Sequence, residues 1–83
     1  MEIEVGKVTD YYDHIGVIAV EITSGSLKVG DTIHVKGHTS DFQQELDSME
    51  LEHQKIEEAS VGQNVGIRVN EKAHKHDHVY KVS

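Results

Sequence analysis

The sequence predicts an all-β fold, a small closed barrel of six or seven strands formed by a single domain that spans residues 1–83. β-Branched residues, which suit a pleated and half-buried surface, are concentrated in short runs. Glycine-containing turns such as Gly25–Gly30 separate these runs. The apolar pattern breaks at short intervals along the chain, which is typical of all-β proteins. We therefore expect the strands to close on themselves and to leave few edges exposed.

The first half of the chain is predicted to form strands joined by polar turns. Glu2–Thr9 alternates apolar and polar residues and then slips in register, which predicts a β-bulge at Gly6. Asp10–His14 is a polar segment and is predicted to be a loop. Ile15–Ile22 is apolar on both faces, so we expect it to be a central strand. Thr32–Lys36 follows as a further strand.

The segment Phe42–Glu52 is compatible with two structures. Phe42, Leu46 and Met49 have helical spacing, and the Gln and Glu residues between them are good helix formers. Met49 and Leu51, however, alternate with glutamates, which is strand spacing. Propensity alone favours a helix over this segment.

The C-terminal part is predicted to contain two strands and two polar segments. His53–Ser60 is interpreted as a loop whose few apolar side chains pack inward. Gln63–Val69 is a buried strand, in which Gly66 is expected to allow close approach of a neighbouring backbone. Asn70–Asp77 is a polar loop, and His78–Val82 is the last strand of the sheet.

The sequence lacks the patterns that most enzymes and nucleotide-binding proteins require. The phosphate-binding pattern G-x-x-x-x-G-K-[ST] is absent, so we expect no GTP binding by this chain alone. Cysteine is absent, and no serine lies in a nucleophile motif. We therefore predict that the chain is not an enzyme and carries no cofactor.

Composition limits the partners and the compartment. The formal net charge is −7, from 15 acidic residues against 8 Lys and Arg. Nucleic-acid affinity depends largely on cations at phosphates, so this charge argues against general nucleic-acid binding. No apolar stretch approaches the ~20 residues of a membrane span, and no basic leader opens the sequence. These features predict a cytoplasmic protein without a membrane partner.

The seven histidines include one cluster with regular spacing. His74, His76 and His78 follow each other at i, i+2 and i+4, so on a strand they would share one face and could chelate Zn²⁺ or Ni²⁺. The alternative, which we favour, is a solvated edge or loop without a metal. The remaining histidines are scattered and are predicted to be ordinary exposed residues: His14, His34, His38 and His53.

Tyr11 and Tyr12 form the one adjacent aromatic pair and lie in the predicted loop. Exposed rings at this position could stack on a base or anchor a protein contact. Packing of one ring under the rim of the barrel is the alternative.

Three blocks carry a resemblance to a known family: G-V-I-A-V-E-I from Gly16, G-S-L-K-V-G-D-T-I from Gly25, and A-S-V-G-Q-N-V-G-I from Ala59. Together they resemble the second domain of translational GTPases such as elongation factor Tu. The last block is similar to the family's Ala-Gly-Glu-Asn-Val-Gly pattern, with Gln63 in place of the Glu. The resemblance covers nearly the whole chain and implies a β-barrel in which Phe42–Glu52 forms a pair of strands.

The same resemblance implies a binding surface. In that family the barrel contacts the acceptor end of aminoacyl-tRNA, or ribosomal RNA or protein, and Glu50 and Asn64 occupy positions that would inherit such contacts. Arg68 is the single arginine and lies four residues after Asn64, on the same face of a strand. One hypothesis is therefore a non-catalytic module that binds RNA or ribonucleoprotein in translation. Asn64 could instead hold a loop by bonding backbone groups.

A second hypothesis involves no nucleic acid. A similar barrel occurs at the C-terminus of the collagenase-like peptidase family, which implies a protein-interaction module that is accessory to a separately encoded enzyme. The acidic net charge favours this alternative, whereas the resemblance to elongation factors favours the RNA-binding module.

Overall fold

The computed structural model describes Met1–Ser83 and consists of strands and turns, which confirms the all-β prediction. The strands are β1 (Glu2–Tyr12), β2 (Val17–Ile22), β3 (Ser26–Lys28), β4 (Thr32–Lys36), β5 (Asp41–Glu45), β6 (Met49–Leu51), β7 (Gln54–Ile56), β8 (Glu58–Ser60), β9 (Asn64–Arg68) and β10 (His78–Val82). There is no helix long and apolar enough to cross a membrane.

Eight strands form one antiparallel sheet in the order β5-β4-β10-β1-β2-β9-β6-β7, and β3 pairs with β8 in a separate two-stranded sheet. The sheet curls around a single core of 17 buried apolar side chains. The Gln44 side chain connects the β5 edge to the end of β9, because Nε2 donates to the Arg68 carbonyl at 2.9 Å and Oε1 accepts from the Asn70 N–H at 2.8 Å. A side chain therefore makes the contact between elements that are distant in the strand order.

Strand β1 is longer than the sequence predicted. A register shift between Glu4 and Gly6 confirms the predicted bulge, and a second shift follows between Val8 and Asp10. The predicted loop at Asp10–His14 is wrong in its first part, since the strand continues to Tyr12 and pairs with β2. Tyrosine favours strands, and the turn itself begins only at Asp13.

The two ends of the chain lie side by side at one end of the β1–β10 pair. The Met1 amino group donates to the Ser83 carbonyl at 2.8 Å, and the Ser83 N–H donates to the Met1 carbonyl at 2.9 Å. The β1–β10 ladder thus extends to both terminal residues.

The ambiguous segment Phe42–Glu52 contributes to strands β5 and β6. The strand structure implied by the resemblance is therefore correct, and the helix favoured by propensity alone is not. The predicted loop at His53–Ser60 is wrong, because this segment forms β7 and β8. Strands β7 and β8 are three residues each and depend on the ladders that β6 and β3 offer. Short strands of this kind account for the ten strands observed where six or seven were predicted.

The β6–β7 hairpin contains an unusual two-residue turn. Leu51 pairs with Gln54, and the residues between them, Glu52 and His53, have φ angles of 51° and 67°. Positive φ at both central positions is typical of a type I′ turn, which strongly favours Asn-Gly. Glu and His therefore occupy this left-handed region at a cost in stability.

We expect the double substitution Glu52→Asn, His53→Gly to raise the free energy of unfolding by about 1 kcal/mol, because it relieves this strain. The urea midpoint of the double variant should increase relative to the native chain. The reversed order, Glu52→Gly with His53→Asn, is a control of similar composition and should give a smaller increase. A decrease for the Asn-Gly variant would contradict the prediction.

Candidate functional site

The main concave surface lies on the outer face of β2, β9, β6 and β7. We call it the outer groove; it measures about 480 Å³ and is lined by Val17, Asp47, Ser48, Glu50, Lys55, Gly66 and Arg68. A second concavity of about 320 Å³, the side hollow, shares Val17, Glu50 and Gly66 with it and extends towards Tyr12, Ile15 and Asn64. The two concavities therefore form one continuous surface.

Strand register builds the outer groove. Gly66 pairs with Ala19 of β2 on one side and with Glu50 of β6 on the other, and Glu50 pairs with Lys55 of β7. Side chains at positions 64, 66 and 68 of β9 share one face because strand side chains alternate. Gly66 lacks a side chain, so a gap separates Asn64 from Arg68 along the strand.

Four charged side chains surround this gap. Arg68 and Lys55 are cationic, Asp47 and Glu50 are anionic, and their charges sum to zero. None of the four takes part in an ion pair within the chain. The outer groove thus offers both signs of charge to a partner.

The side hollow adds apolar surface next to these charges. Tyr12 is 42% exposed and Ile15 is 55% exposed. The wall of the side hollow also includes Glu52 and His53, the two turn residues of the β6–β7 hairpin that have positive φ angles. The type I′ turn of the β6–β7 hairpin therefore lies at the border of this surface.

The structure brings together most of the residues that the sequence predicted for a binding surface. Glu50 and Arg68 line the outer groove, and Asn64 and Tyr12 line the side hollow. Tyr11 is different: it lies in β1, half-buried, and packs against the core. The alternative of a ring packed under the rim therefore describes Tyr11 and does not describe Tyr12.

The loop-holding role considered for Asn64 belongs to its neighbour. The Gln63 Oε1 atom accepts from the Ser60 N–H at 2.9 Å, which stabilises the turn before β9. Asn64 is exposed on the strand that follows.

The expectation that a neighbouring backbone approaches Gly66 closely is wrong. A Cβ atom added there would meet only the Val17 Cγ1 atom, at an ordinary contact distance of 3.6 Å. The residue lines the outer groove, and apart from Val17 no atom outside its own chain neighbours lies within 4 Å of the added Cβ. Two glycines that do pack tightly are Gly6 and Gly37.

Sequence reasoning missed Asp47, Ser48 and Lys55. No motif marks them, and they approach Arg68 only because β6 and β7 fold back as a hairpin against β9. Their position depends on strand register, which the sequence of this segment does not specify on its own.

The strand-based metal hypothesis for His74, His76 and His78 rests on a wrong premise. His74 and His76 lie in the loop before β10, and His78 opens the strand. The His74 Nδ1 atom contacts the Ser40 hydroxyl at 2.7 Å, whereas the His78 Nδ1 atom contacts Glu4 at 2.6 Å. No group of three His, Asp or Glu side chains is arranged to hold a metal ion.

His34 is not the ordinary exposed residue that the sequence predicted. It is 8% exposed, and its ring lies between two carboxylates: Nδ1 is 2.8 Å from Glu2 Oε1, and Nε2 is 2.5 Å from Asp41 Oδ1. A carboxylate only accepts hydrogen bonds, so satisfying both contacts requires the doubly protonated ring. Hydrogen bonds to Asp41 and then to Glu2 raise the pKa of His34 above 6.5, and the bond to His34 lowers the pKa of Asp41 below 3.8.

These shifts predict a two-sided pH dependence of stability. The raised pKa of His34 stabilises the folded chain fully below pH 6.5, and this contribution is lost as the pH rises through the folded-state value. The lowered pKa of Asp41 stabilises it above pH 3.8, and this contribution is lost as the pH falls through the folded-state value. We expect the urea midpoint of the native chain to exceed that of His34→Gln most between these limits, and the difference to shrink in alkaline buffer.

His14→Gln is the matched control, because the His14 side chain is 77% exposed. It should leave the pH profile of the native chain unchanged. A His34 ring that titrates below 6.5 by NMR would contradict the assignment of an imidazolium between the two carboxylates.

The curled sheet and its outer groove define a small all-β domain of the β-barrel class. Residues 16–79 match the family model described as elongation factor Tu domain 2. Because the match covers most of the chain, the chain belongs to the elongation factor Tu domain 2 family.

Curated relatives are peptidase-type proteins. The chain is 35% identical over 80 residues to an uncharacterized protease of Methanocaldococcus jannaschii, covering 95% of this chain and 19% of that protein. It is 37% identical over 81 residues to a collagenase of Porphyromonas gingivalis, covering 96% of this chain and 20% of the collagenase. The chain therefore spans about a fifth of the length of these relatives.

A solved structure shares the fold. The C-terminal domain of a Geobacillus thermoleovorans protein assigned to the U32 peptidases superposes with a TM-score of 0.88 at 20% identity, covering 95% of this chain and 91% of that one. The similarity confirms the predicted fold at the level of the whole chain.

Proposed function

We propose that this chain is a non-catalytic protein-interaction module that docks on the catalytic part of a peptidase-class enzyme. The relatives support the class of partner, because the matched segment is about a fifth of each protease or collagenase and the remainder lies outside the match. The proposal is the alternative that the acidic net charge of −7 favoured from the sequence.

The charge balance of the outer groove is the observation that carries this proposal. A site for an RNA backbone needs cations, since phosphates dominate nucleic-acid affinity. Here Asp47 and Glu50 line the same groove as Arg68 and Lys55, so two carboxylates oppose the attraction of a phosphate to the two cations. A protein surface, which presents both charges and neutral polar groups, fits a groove of zero net charge.

The apolar part of the surface also suits a protein partner. Tyr12 and Ile15 are exposed next to the charged groups, and aromatic residues beside a polar rim are characteristic of protein interfaces. Docking would cover these side chains from water.

The test uses the Porphyromonas gingivalis collagenase from which the matched segment has been removed. Calorimetric titration with this chain should show a 1:1 complex, and the collagenase's own segment serves as the positive control. Arg68→Glu should weaken the complex because it reverses one charge of the outer groove. Glu71→Lys also reverses a charge, outside the groove, and should leave binding unchanged.

Filter binding to tRNA across a salt series tests the RNA-binding alternative with the same proteins. Saturable, salt-dependent tRNA binding that Arg68→Glu abolishes, together with no complex with the truncated collagenase, would overturn the proposal in favour of the translation-related module. No tRNA binding together with a 1:1 protein complex supports it.

A further inference from the structure

The gap at Gly66 is the only position of the β9 outer face without a side chain. Asn64 and Arg68 flank it along the strand, and Ala19 and Glu50 flank it across the sheet. An added Cβ would meet nothing but Val17 Cγ1 within 4 Å. A chain can therefore approach the sheet surface here more closely than at any neighbouring position of β9.

Glu50 and Arg68 provide a hydrogen-bond acceptor and a hydrogen-bond donor, respectively, that do not contact each other. They are diagonal neighbours on adjacent strands, so their Cβ atoms lie somewhat less than roughly 7–8 Å apart, and they form no ion pair with each other. Glu50 offers only acceptors, whereas Arg68 offers only donors. Gly66 is the cross-strand partner of Glu50 and lies two residues before Arg68, so no side chain of β9 stands opposite Glu50. On the other side of β9, the small apolar side chains of Val17 and Ala19 pair with Arg68 and Gly66.

A peptide group is the complement of this arrangement. Its N–H can donate to the Glu50 carboxylate while its C=O accepts from the Arg68 guanidinium, and such charge-assisted hydrogen bonds are stronger than neutral ones. Asn64 and Ser48 at the two sides can each donate and accept as well. A phosphate lacks the donors that Glu50 requires, so the same geometry discriminates against it.

We propose that the outer groove binds the main chain of an extended polypeptide segment over Gly66, with its N–H groups directed to Glu50 and its C=O groups to Arg68. Recognition of this kind depends mainly on the backbone groups of the bound segment and only weakly on the identity of its side chains. It rests on the proposed function in one respect, namely that the partner of the chain is a protein, and it names the part of that partner which enters the groove.

The probe is a blocked, uncharged heptapeptide composed of Gly, Ser and Val, titrated into the ¹⁵N-labelled chain and followed by NMR. We expect shifts concentrated at the amides of Ala19, Glu50 and Gly66. A heptapeptide of the same sequence with N-methylated amides keeps the C=O groups and side chains but loses the donors. We expect it to bind about tenfold more weakly, which corresponds to one hydrogen bond to a charged group.

Three variants assign the contacts. Glu50→Ala and Arg68→Ala should each weaken peptide binding several-fold, and Gly66→Val should prevent it by filling the gap. Gly66→Ala adds only a Cβ in ordinary contact and keeps the fold, so a weakened Kd for this variant reports on the gap itself. Lys72→Ala, a charge removal in the exposed loop before β10, is the control and should bind as the native chain does.

The results distinguish failure of main-chain recognition from failure of docking on the peptidase. Absence of shifts in the groove at millimolar peptide, equal affinity for the N-methylated peptide, or native affinity in Gly66→Val overturns the inference. If the truncated collagenase binds but the peptide does not, this inference fails and the docking function stands. If the peptide binds and the collagenase does not, main-chain recognition stands and the peptidase partner fails.

Discussion

Leu46→Ala should lower the free energy of unfolding by about 2–5 kcal/mol. Leu46 is fully buried and links β5 to β6. Its backbone is held independently of its side chain, since its N–H donates to the Asp31 carbonyl at 2.8 Å and its carbonyl accepts from the Gly30 N–H at 2.9 Å. The backbone therefore resists collapse into the cavity, and the loss falls in the upper part of the range.

A domain of this size is stabilised by ~5–15 kcal/mol in total, so the loss is large enough to measure directly. Urea unfolding followed by circular dichroism should show a lower midpoint with an unchanged slope. Val61→Ala removes apolar atoms from a side chain that is 59% exposed and should change the midpoint little. Equal midpoints for Leu46→Ala and Val61→Ala would contradict the packing described for Leu46.

The second large effect is expected at Gly37. A Cβ atom there would collide with the carboxylate of Asp77 and lie 2.6 Å from its Cγ. Asp77 is buried and cannot move aside, because its Oδ2 accepts from the His74 N–H at 2.8 Å and its carbonyl accepts from the Val8 N–H at 2.8 Å. We expect Gly37→Ala to cost about 2–3 kcal/mol by overpacking.

Gly66→Ala is the matched control, since the same added methyl group meets only Val17 at 3.6 Å. Its midpoint in urea should remain close to that of the native chain. Hydrogen exchange gives a second readout, because the His74 and Val8 amides bonded to Asp77 should lose protection in Gly37→Ala. Protection at the native level in that variant would show that Asp77 does not block the position.

The parts of the fold that the sequence predicted are those in which local pattern and tertiary structure agree. Thr32–Lys36 and His78–Val82 coincide with β4 and β10, and β9 lies within the predicted Gln63–Val69. Segments such as β7 and β8 were missed because three residues carry almost no periodicity. Their conformation is decided by the strands beside them, which is a tertiary effect.

The same distinction applies to the site. Glu50 was predicted as a site residue from the family resemblance. Arg68 was predicted from its even separation from Asn64 along one strand, which is a local property of the sequence. Lys55 and Asp47 belong to the outer groove only through the β6–β7 hairpin, so no spacing in the sequence relates them to Arg68. His34 was interpreted as exposed because Glu2 and Asp41 reach it from strands 32 and 7 residues away in the chain.

The hydrogen bonds between Met1 and Ser83 have a consequence for how such a domain can be joined to another protein. A chain that enters and leaves its fold at one point can be inserted into a surface loop of a host without separating the two sides of that loop. It can also be circularly permuted, since linking ends that are already in contact adds little closure entropy. A domain inserted in this way is attached to its host at one point of its surface, at the end of the β1–β10 pair.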